Sequence, residues 1–190
     1  IDLKAKNEGK SFLTNLYSFI FSERNIDPNR PKENSEYPLI YAIQNNLYIL
    51  SLCLINSGQI DLNQIIVKNF TNTFGKGQII DSENYLHLAV KYGRFRILEE
   101  ILSNTSCNVN ITDHNNETPL FEACRRKKAK CIKALFKMDD LDYNHRNNKG
   151  QDALQVLKST VVDDSNHLKS DEIKNKEEYL SKLLELIKLP

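Results

Sequence analysis

The sequence predicts an all-α fold of stacked helix-turn-helix units joined by hairpin loops, and three observations carry that expectation. Leucines mark a recurring pattern at Leu39, Leu86, Leu120 and Leu154, with intervals of 47, 34 and 34 residues. An asparagine closes each unit at Asn29, Asn63, Asn110 and Asn144, with intervals of 34, 47 and 34. Both markers give a period of 34, and both place about thirteen extra residues between Asn63 and Leu86. The third observation is that the 40% hydrophobic content arrives in short blocks such as LYILSLCLI and YLSKLLELI. Each block suits one face of a short helix, and none approaches the roughly eighteen apolar residues needed to span a bilayer. One such unit cannot bury its apolar face alone, so neighbours must stack into a solenoid with modified terminal units.

The chain is expected to form a single domain over 1–190. Residues 1–33 are expected to form a degenerate capping repeat, in which FLTNLYSFIF is a buried helix. IDLKAKNEGK has none of the arrangement of a secretory signal, and the initial Ile suits a fragment or a processed piece. Residues 34–81 hold a repeat with an insertion at 64–80. That insertion, QIIVKNFTNTFGKGQII, carries Ile65, Ile66, Val67, Phe70, Phe74, Ile79 and Ile80, which is rich for a solvent-facing loop. It is expected to fold over the solenoid, with contact to a partner as the alternative. Gly75 and Gly77 turn the chain there; G-x-G without a third Gly or a Lys-Ser/Thr pair is no phosphate loop.

Repeats at 82–113 and 114–146 follow. In the latter, Thr118 is an expected N-cap and Pro119 sits in the first helical turn, where its missing N–H costs nothing. Ala123 lets a partner helix approach, Arg126 to Lys128 form a loop, and Ile132, Leu135 and Phe136 supply the next apolar face. LDYNHRNNKGQ is turn chemistry. Residues 147–190 form a C-terminal capping repeat with an insertion at 159–171. Its first helix begins near Leu154. Its last, about Glu172 to Leu189, places Ile173, Tyr179, Leu180, Leu183, Leu184 and Ile187 on one stripe.

These residues resemble the ankyrin repeat family. The family pattern T-P-L-H-x-A is matched by Thr118, Pro119, Leu120 and Ala123, with Phe121 in place of His. A second copy has Leu86, His87 and Ala89 but Asn84 and Tyr85 for Thr-Pro; the first has Pro38, Leu39 and Ala42 with Tyr37 for Thr. The fourth, GQDALQVL, keeps Gly150 and Leu154. The resemblance covers about Asn34 to Leu157, which implies about four repeats plus the degenerate N-terminal cap. It also implies a non-enzymatic module binding another protein or peptide through its concave face and hairpin tips, as a scaffold or adaptor in trafficking, signalling or transcription. His87 falls on the family's hairpin-bonding histidine.

No catalytic, cofactor or metal site is expected. Cys53, Cys107, Cys124 and Cys131 form no C-x-x-C pair and have no His at zinc spacing. They read as thiols of a reducing, intracellular compartment, cytoplasmic or nuclear, where the sequons at Asn69, Asn104 and Asn116 carry no weight. His87, His114, His145 and His167 have no nucleophile or acid at a spacing that suggests a triad.

Charge bears on partners. Arg125, Arg126, Lys127, Lys128, Lys130 and Lys133 crowd six cations into nine positions, yet 26 Lys+Arg against 25 Asp+Glu leave a net charge of only +1. No global field exists to steer nucleic acid, so a polyanion site (nucleic acid or phosphoinositide) at 125–133 is the runner-up to protein binding. By the repeat register the outward-facing, partner-binding positions are Glu33, Glu36, Gln44, Asn45, Asp81, Glu83, Lys91, Tyr92, His114, Asn115, Glu117, Arg125, Arg126, Arg146 and Lys149. Glu33, Glu36, Asp81 and Glu83 make one half of this face acidic, while Arg125, Arg126, Arg146 and Lys149 make the other basic. Reversing Arg125 and Arg126 to Glu is expected to abolish binding with thermal stability nearly unchanged. The chain is expected to act as a monomer, with no small-molecule substrate and no direct membrane contact.

Overall fold

The computed structural model describes residues 37–71, 78–161 and 176–188. The expected N-terminal cap at 1–33, and most of the insertion at 159–171, lie outside the described residues. The chain divides into two compact units, 1–62 and 63–190.

In the first unit, Tyr37 is extended and Pro38 opens helix α1 (Pro38–Gln44), because a fixed φ and a missing N–H suit the first turn. Asn46 then adopts a left-handed φ of 57°, which reverses the chain into α2 (Tyr48–Asn56). The two helices pack together through Leu39, Ala42, Ile43, Leu52 and Cys53, all buried.

The second unit opens with a short strand pair set within the expected all-α architecture. The insertion forms an antiparallel pair, β1 (Ile66–Thr71) and β2 (Gln78–Glu83), with Ile66 opposite Glu83 and Thr71 opposite Gln78. Strand alternation is visible at its start: Ile66 is buried while Val67 is 56% exposed. Gly75 and Gly77 lie outside the described residues.

Three helical tiers follow: α3 (Tyr85–Lys91) with α4 (Phe95–Leu102), α5 (Pro119–Arg125) with α6 (Ala129–Leu135), and α7 (Ala153–Val161) with α8 (Lys176–Lys188). The first helices stack α3 on α5 on α7, and the second helices α4 on α6 on α8. This is the two-layer arrangement that a repeated unit with one apolar face per helix requires. The marker leucines Leu86, Leu120 and Leu154 are all buried in it.

The marker asparagines have a cross-repeat task. Asn63 Nδ2 donates to Ser106 O at 2.6 Å while its Oδ1 accepts from Asn108 N at 2.7 Å. One repeat on, Asn110 makes the corresponding bonds to Asp140 O at 2.7 Å and from Asp142 N at 2.8 Å. The asparagine amide carries its donor and its acceptor on two separate atoms of one short stem, which lets it bridge two backbone groups and is why it recurs there.

The N-caps share one register, and each solves the position differently. Asn84 Oδ1 accepts from Leu86 N at 2.6 Å. Asp152 Oδ1 accepts from Gln155 N at 2.8 Å and Gln155 Oε1 from Asp152 N at 2.9 Å, a reciprocal capping box. Thr118 has the extended backbone of a cap, but its hydroxyl makes no capping bond and is a buried oxygen without a partner among the described residues. Pro119 thus fixes the start of α5 by its ring, without help from the threonine side chain.

The turn between paired helices needs a left-handed residue, Gly93 (φ 66°) in one tier and Lys127 (φ 52°) in the next. A side chain there is strained where glycine is not. Lys127→Gly is therefore expected to raise stability by about 0.5–1 kcal/mol, read from chemical denaturation. A loss of stability would show that the lysine makes a contact worth more than the strain.

Candidate protein interface

Hairpin loops join the tiers, and two of them share one construction. Asp113 Oδ1 accepts from Asn115 N and Glu117 N, both at 2.8 Å, and Asp113 N donates to Glu117 O at 3.0 Å. At the corresponding position Asn147 Oδ1 accepts from Lys149 N and Gln151 N, both at 3.0 Å, and Asn147 N donates to Gln151 O at 2.9 Å. Short Asp and Asn side chains suit this because they bond their own backbone two to four residues on.

The two tips are tied to each other. Asn148 N donates to Asn115 O at 3.0 Å and Asn148 Nδ2 to His114 O at 3.3 Å. Asn116 Nδ2 donates to Arg146 O at 2.9 Å, and His145 Nε2 bonds Asn116 O at 3.0 Å. Ser82 N at the end of β2 donates to His114 Nδ1 at 3.3 Å. A continuous edge results, presenting the exposed residues His114, Asn115, Arg146, Asn148 and Lys149 on backbone held from below.

The first-helix charges behave differently from the outward-facing set expected of them. Glu117 is only 6% exposed. Its Oε2 accepts from Arg125 at 2.5 Å and its Oε1 from Asn147 Nδ2 at 2.9 Å. Glu83, also buried, accepts from Lys91 at 2.6 Å, so the same acid-to-cation pairing recurs 34 residues earlier. Glu122 bonds both Arg125, at 3.0 Å, and Arg126. Burial, the largest influence, lowers the Arg125 guanidinium, but the Glu117 and Glu122 carboxylates outweigh it and leave it above its ordinary range.

These pairings correct two expectations. Glu83 and Glu117 are interior acceptors rather than ligand-facing acids. Arg125 and Arg126 are neutralised within their own repeat, so reversing them to Glu sets two carboxylates against Glu117 and Glu122 and costs stability. The repeated spacing of eight between opposite charges, Glu83 to Lys91 and Glu117 to Arg125, is the sequence signal that would have found them. Of the remaining positions, Tyr92 is exposed and Lys91 half-buried; Asn45 is exposed and Gln44 half-buried within the first unit. Glu33 and Glu36 lie outside the described residues, as does the side chain of Asp81.

Beneath the edge, His87 links two tiers. Its Nε2 lies 2.9 Å from Glu117 O, a carbonyl, so that nitrogen carries the proton, and the buried Nδ1 has no partner among the described residues. Burial lowers the pKa from 6.5, against the opposing pull of the Glu117 bond and of Asp113, Glu83 and Glu122. Below about pH 6.5 the unfolded chain takes up a proton that the folded one refuses, so stability falls as pH drops. Between about pH 7.5 and 5.5 the wild type is expected to lose more stability than His87→Gln in parallel urea titrations. Equal losses would show that His87 titrates normally.

Burial raises all four thiols, Cys107 to about 11 with Asp140 adding to the effect, so none is a thiolate at neutral pH. Among the described residues no group of three His, Cys, Asp or Glu side chains could hold a metal ion, and no helix is long and apolar enough to cross a membrane.

Stacked helix pairs, hairpin tips bonded tip to tip and a histidine joining tiers define a helix-turn-helix repeat protein of the solenoid class. Residues 86–157 match the family model of ankyrin repeats, in three copies. A relative from Oryza sativa subsp. japonica, the "BTB/POZ domain and ankyrin repeat-containing protein NPR3", is 27% identical over 122 residues. The match covers 64% of this chain and 20% of the relative, so the chain spans about a fifth of that protein's length. Ankyrin repeats are generally protein–protein interaction modules, and the family is generally non-enzymatic.

Proposed function

We propose that this chain is an intracellular, monomeric interaction module, cytoplasmic or nuclear, that binds a partner protein or peptide along its hairpin-tip edge. The observation that carries this reading is the construction of that edge. His114, Asn115, Asn148 and Lys149 are exposed, while the backbone beneath them is held by bonds between successive tips. Preorganised polar groups bind with little ordering cost, which favours recognition of another surface. Tyr92, 38% exposed, adds an amphipathic group of the kind enriched at interfaces. The relative's name joins a BTB/POZ domain to ankyrin repeats, which supports an adaptor or scaffold role within a longer protein, in trafficking, signalling or transcription. Recognition of nucleic acid or phosphoinositide through 125–133 is the weaker reading, because the two arginines are occupied by Glu117 and Glu122.

The test is quantitative capture of proteins from the source lysate on the wild type and on a tip variant, Asn115→Ala with Lys149→Glu. Neither side chain is buried, so the melting temperature is expected to stay within a degree or two of the wild type, as for surface substitutions. At least one captured protein should be lost from the variant. Identical capture profiles would remove the tips from recognition.

A further inference from the structure

We infer a second docking surface, on the edge where paired helices turn into one another, that takes a short acidic segment of a partner protein. It lies outside the hairpin-tip edge and does not depend on that reading. The observation is a charge pattern repeated in register. Arg94 and Arg96 open α4, and Lys128 and Lys130, 34 residues on, occupy the same places at the start of α6. The corresponding residues of the 37–56 repeat are Leu47 and Ile49, so the pattern belongs to these two tiers.

The tiers meet at this edge. Helix α4 packs on α6, and a methyl group placed on Gly93 would touch Lys128 Cε and Nζ at 3.7 Å. The Lys128 ammonium thus rests against the turn leading into Arg94. Lys127 projects from the left-handed position beside it.

Among the described residues, some cations of this unit have carboxylates beside them and others do not. Lys91, Arg125 and Arg126 have glutamates on their own repeats. Arg96, Lys127, Lys128 and Lys130 form no ion pair among the described residues, and Arg96, Lys127, Lys128 and Lys130 are exposed. The nearby acid Glu99 instead faces Lys137 at 3.8 Å. Like charges gathered without counter-charge repel, and a bound acid relieves that repulsion.

Size selects the occupant. Stacked helices lie roughly 8–10 Å apart, so two tiers with their side chains match about four to six residues of extended chain. A nucleic acid needs a longer track and a supporting field, and the net charge of +1 supplies none.

The test uses fluorescence anisotropy of a fluorescein-labelled hexaglutamate on the whole chain, with labelled oligothymidine of equal charge as the comparison. The peptide is expected to bind, to weaken as salt rises, and to lose about tenfold or more in affinity in Arg96→Glu with Lys130→Glu. Circular dichroism melting checks that this double variant is folded; single Gln variants replace it if it is not. Absent peptide binding, unchanged affinity in the variants, or tighter binding of the oligonucleotide through the same residues would overturn the inference. Loss of capture on the hairpin-tip variant with peptide binding retained would separate the two surfaces.

Discussion

Tyr179→Ala is expected to cost about 3–5 kcal/mol, the largest effect of any single truncation considered for this chain. The residue is the anchor of α8. Its side chain is buried, its ring lies 6.2 Å from that of Phe136 and 5.3 Å from that of Tyr143, and its hydroxyl is used twice. That oxygen accepts from Leu154 N at 2.8 Å and donates to Asp152 Oδ1 at 3.3 Å, beside the capping box that starts α7. Burial, followed by the Asp152 carboxylate, holds the phenol well above its ordinary range, so it remains a donor at every working pH. Truncation would leave a cavity, expose aromatic surface and orphan an amide at a helix start. Tyr179→Phe keeps the ring and is expected to cost about 1–2 kcal/mol, the share of the hydroxyl. Urea denaturation of both variants measures the difference. A cost below about 1 kcal/mol for the alanine variant would mean that α8 contributes little to the last tier.

Glu117→Ala is the second, at about 2–3 kcal/mol. Glu117 connects three successive tiers: its carbonyl meets His87, its own backbone closes the 113–117 hairpin, and Oε1 holds Asn147. Most of the cost falls on Asn147 Nδ2, a buried donor left without its partner. The Arg125 pair contributes less, because that guanidinium is 41% exposed and its interaction is screened. Glu117→Gln keeps an acceptor for Asn147 and is expected to cost about 1 kcal/mol. A double-mutant cycle with Arg125→Ala is expected to give a coupling under about 1 kcal/mol. Equal costs for the alanine and glutamine variants would show that the charge, not the link to Asn147, is what stabilises.

Periodic burial was legible in the sequence because each marker records one physical demand. Leu86, Leu120 and Leu154 recur since every first helix must present the same apolar face, and Asn63 and Asn110 recur since each clamps the next loop by both ends of one amide. The Arg126–Lys128 loop and the helix pairs around it follow from the same register. Two kinds of feature were not legible. The strand pair at 66–71 and 78–83 interrupts the repeat, and its apolar residues look like a block until alternation sends Ile66 inward and Val67 outward. Long polar side chains were also misjudged. Repeat register fixes where Cα of Glu117 lies, but not that its carboxylate folds under Arg125 and meets Asn147 from the next tier.

The burial of those carboxylates is why the proposed recognition rests on the hairpin tips rather than on the first-helix arginines, and one measurement addresses that directly. Once a partner has been captured, its affinity is measured for wild type, for Asn115→Ala with Lys149→Glu, and for Arg125→Gln, all well below their melting temperatures. The tip variant is expected to lose about tenfold or more, while Arg125→Gln binds as the wild type does after allowance for its folded fraction. Full affinity in the tip variant with binding lost in Arg125→Gln would contradict the account.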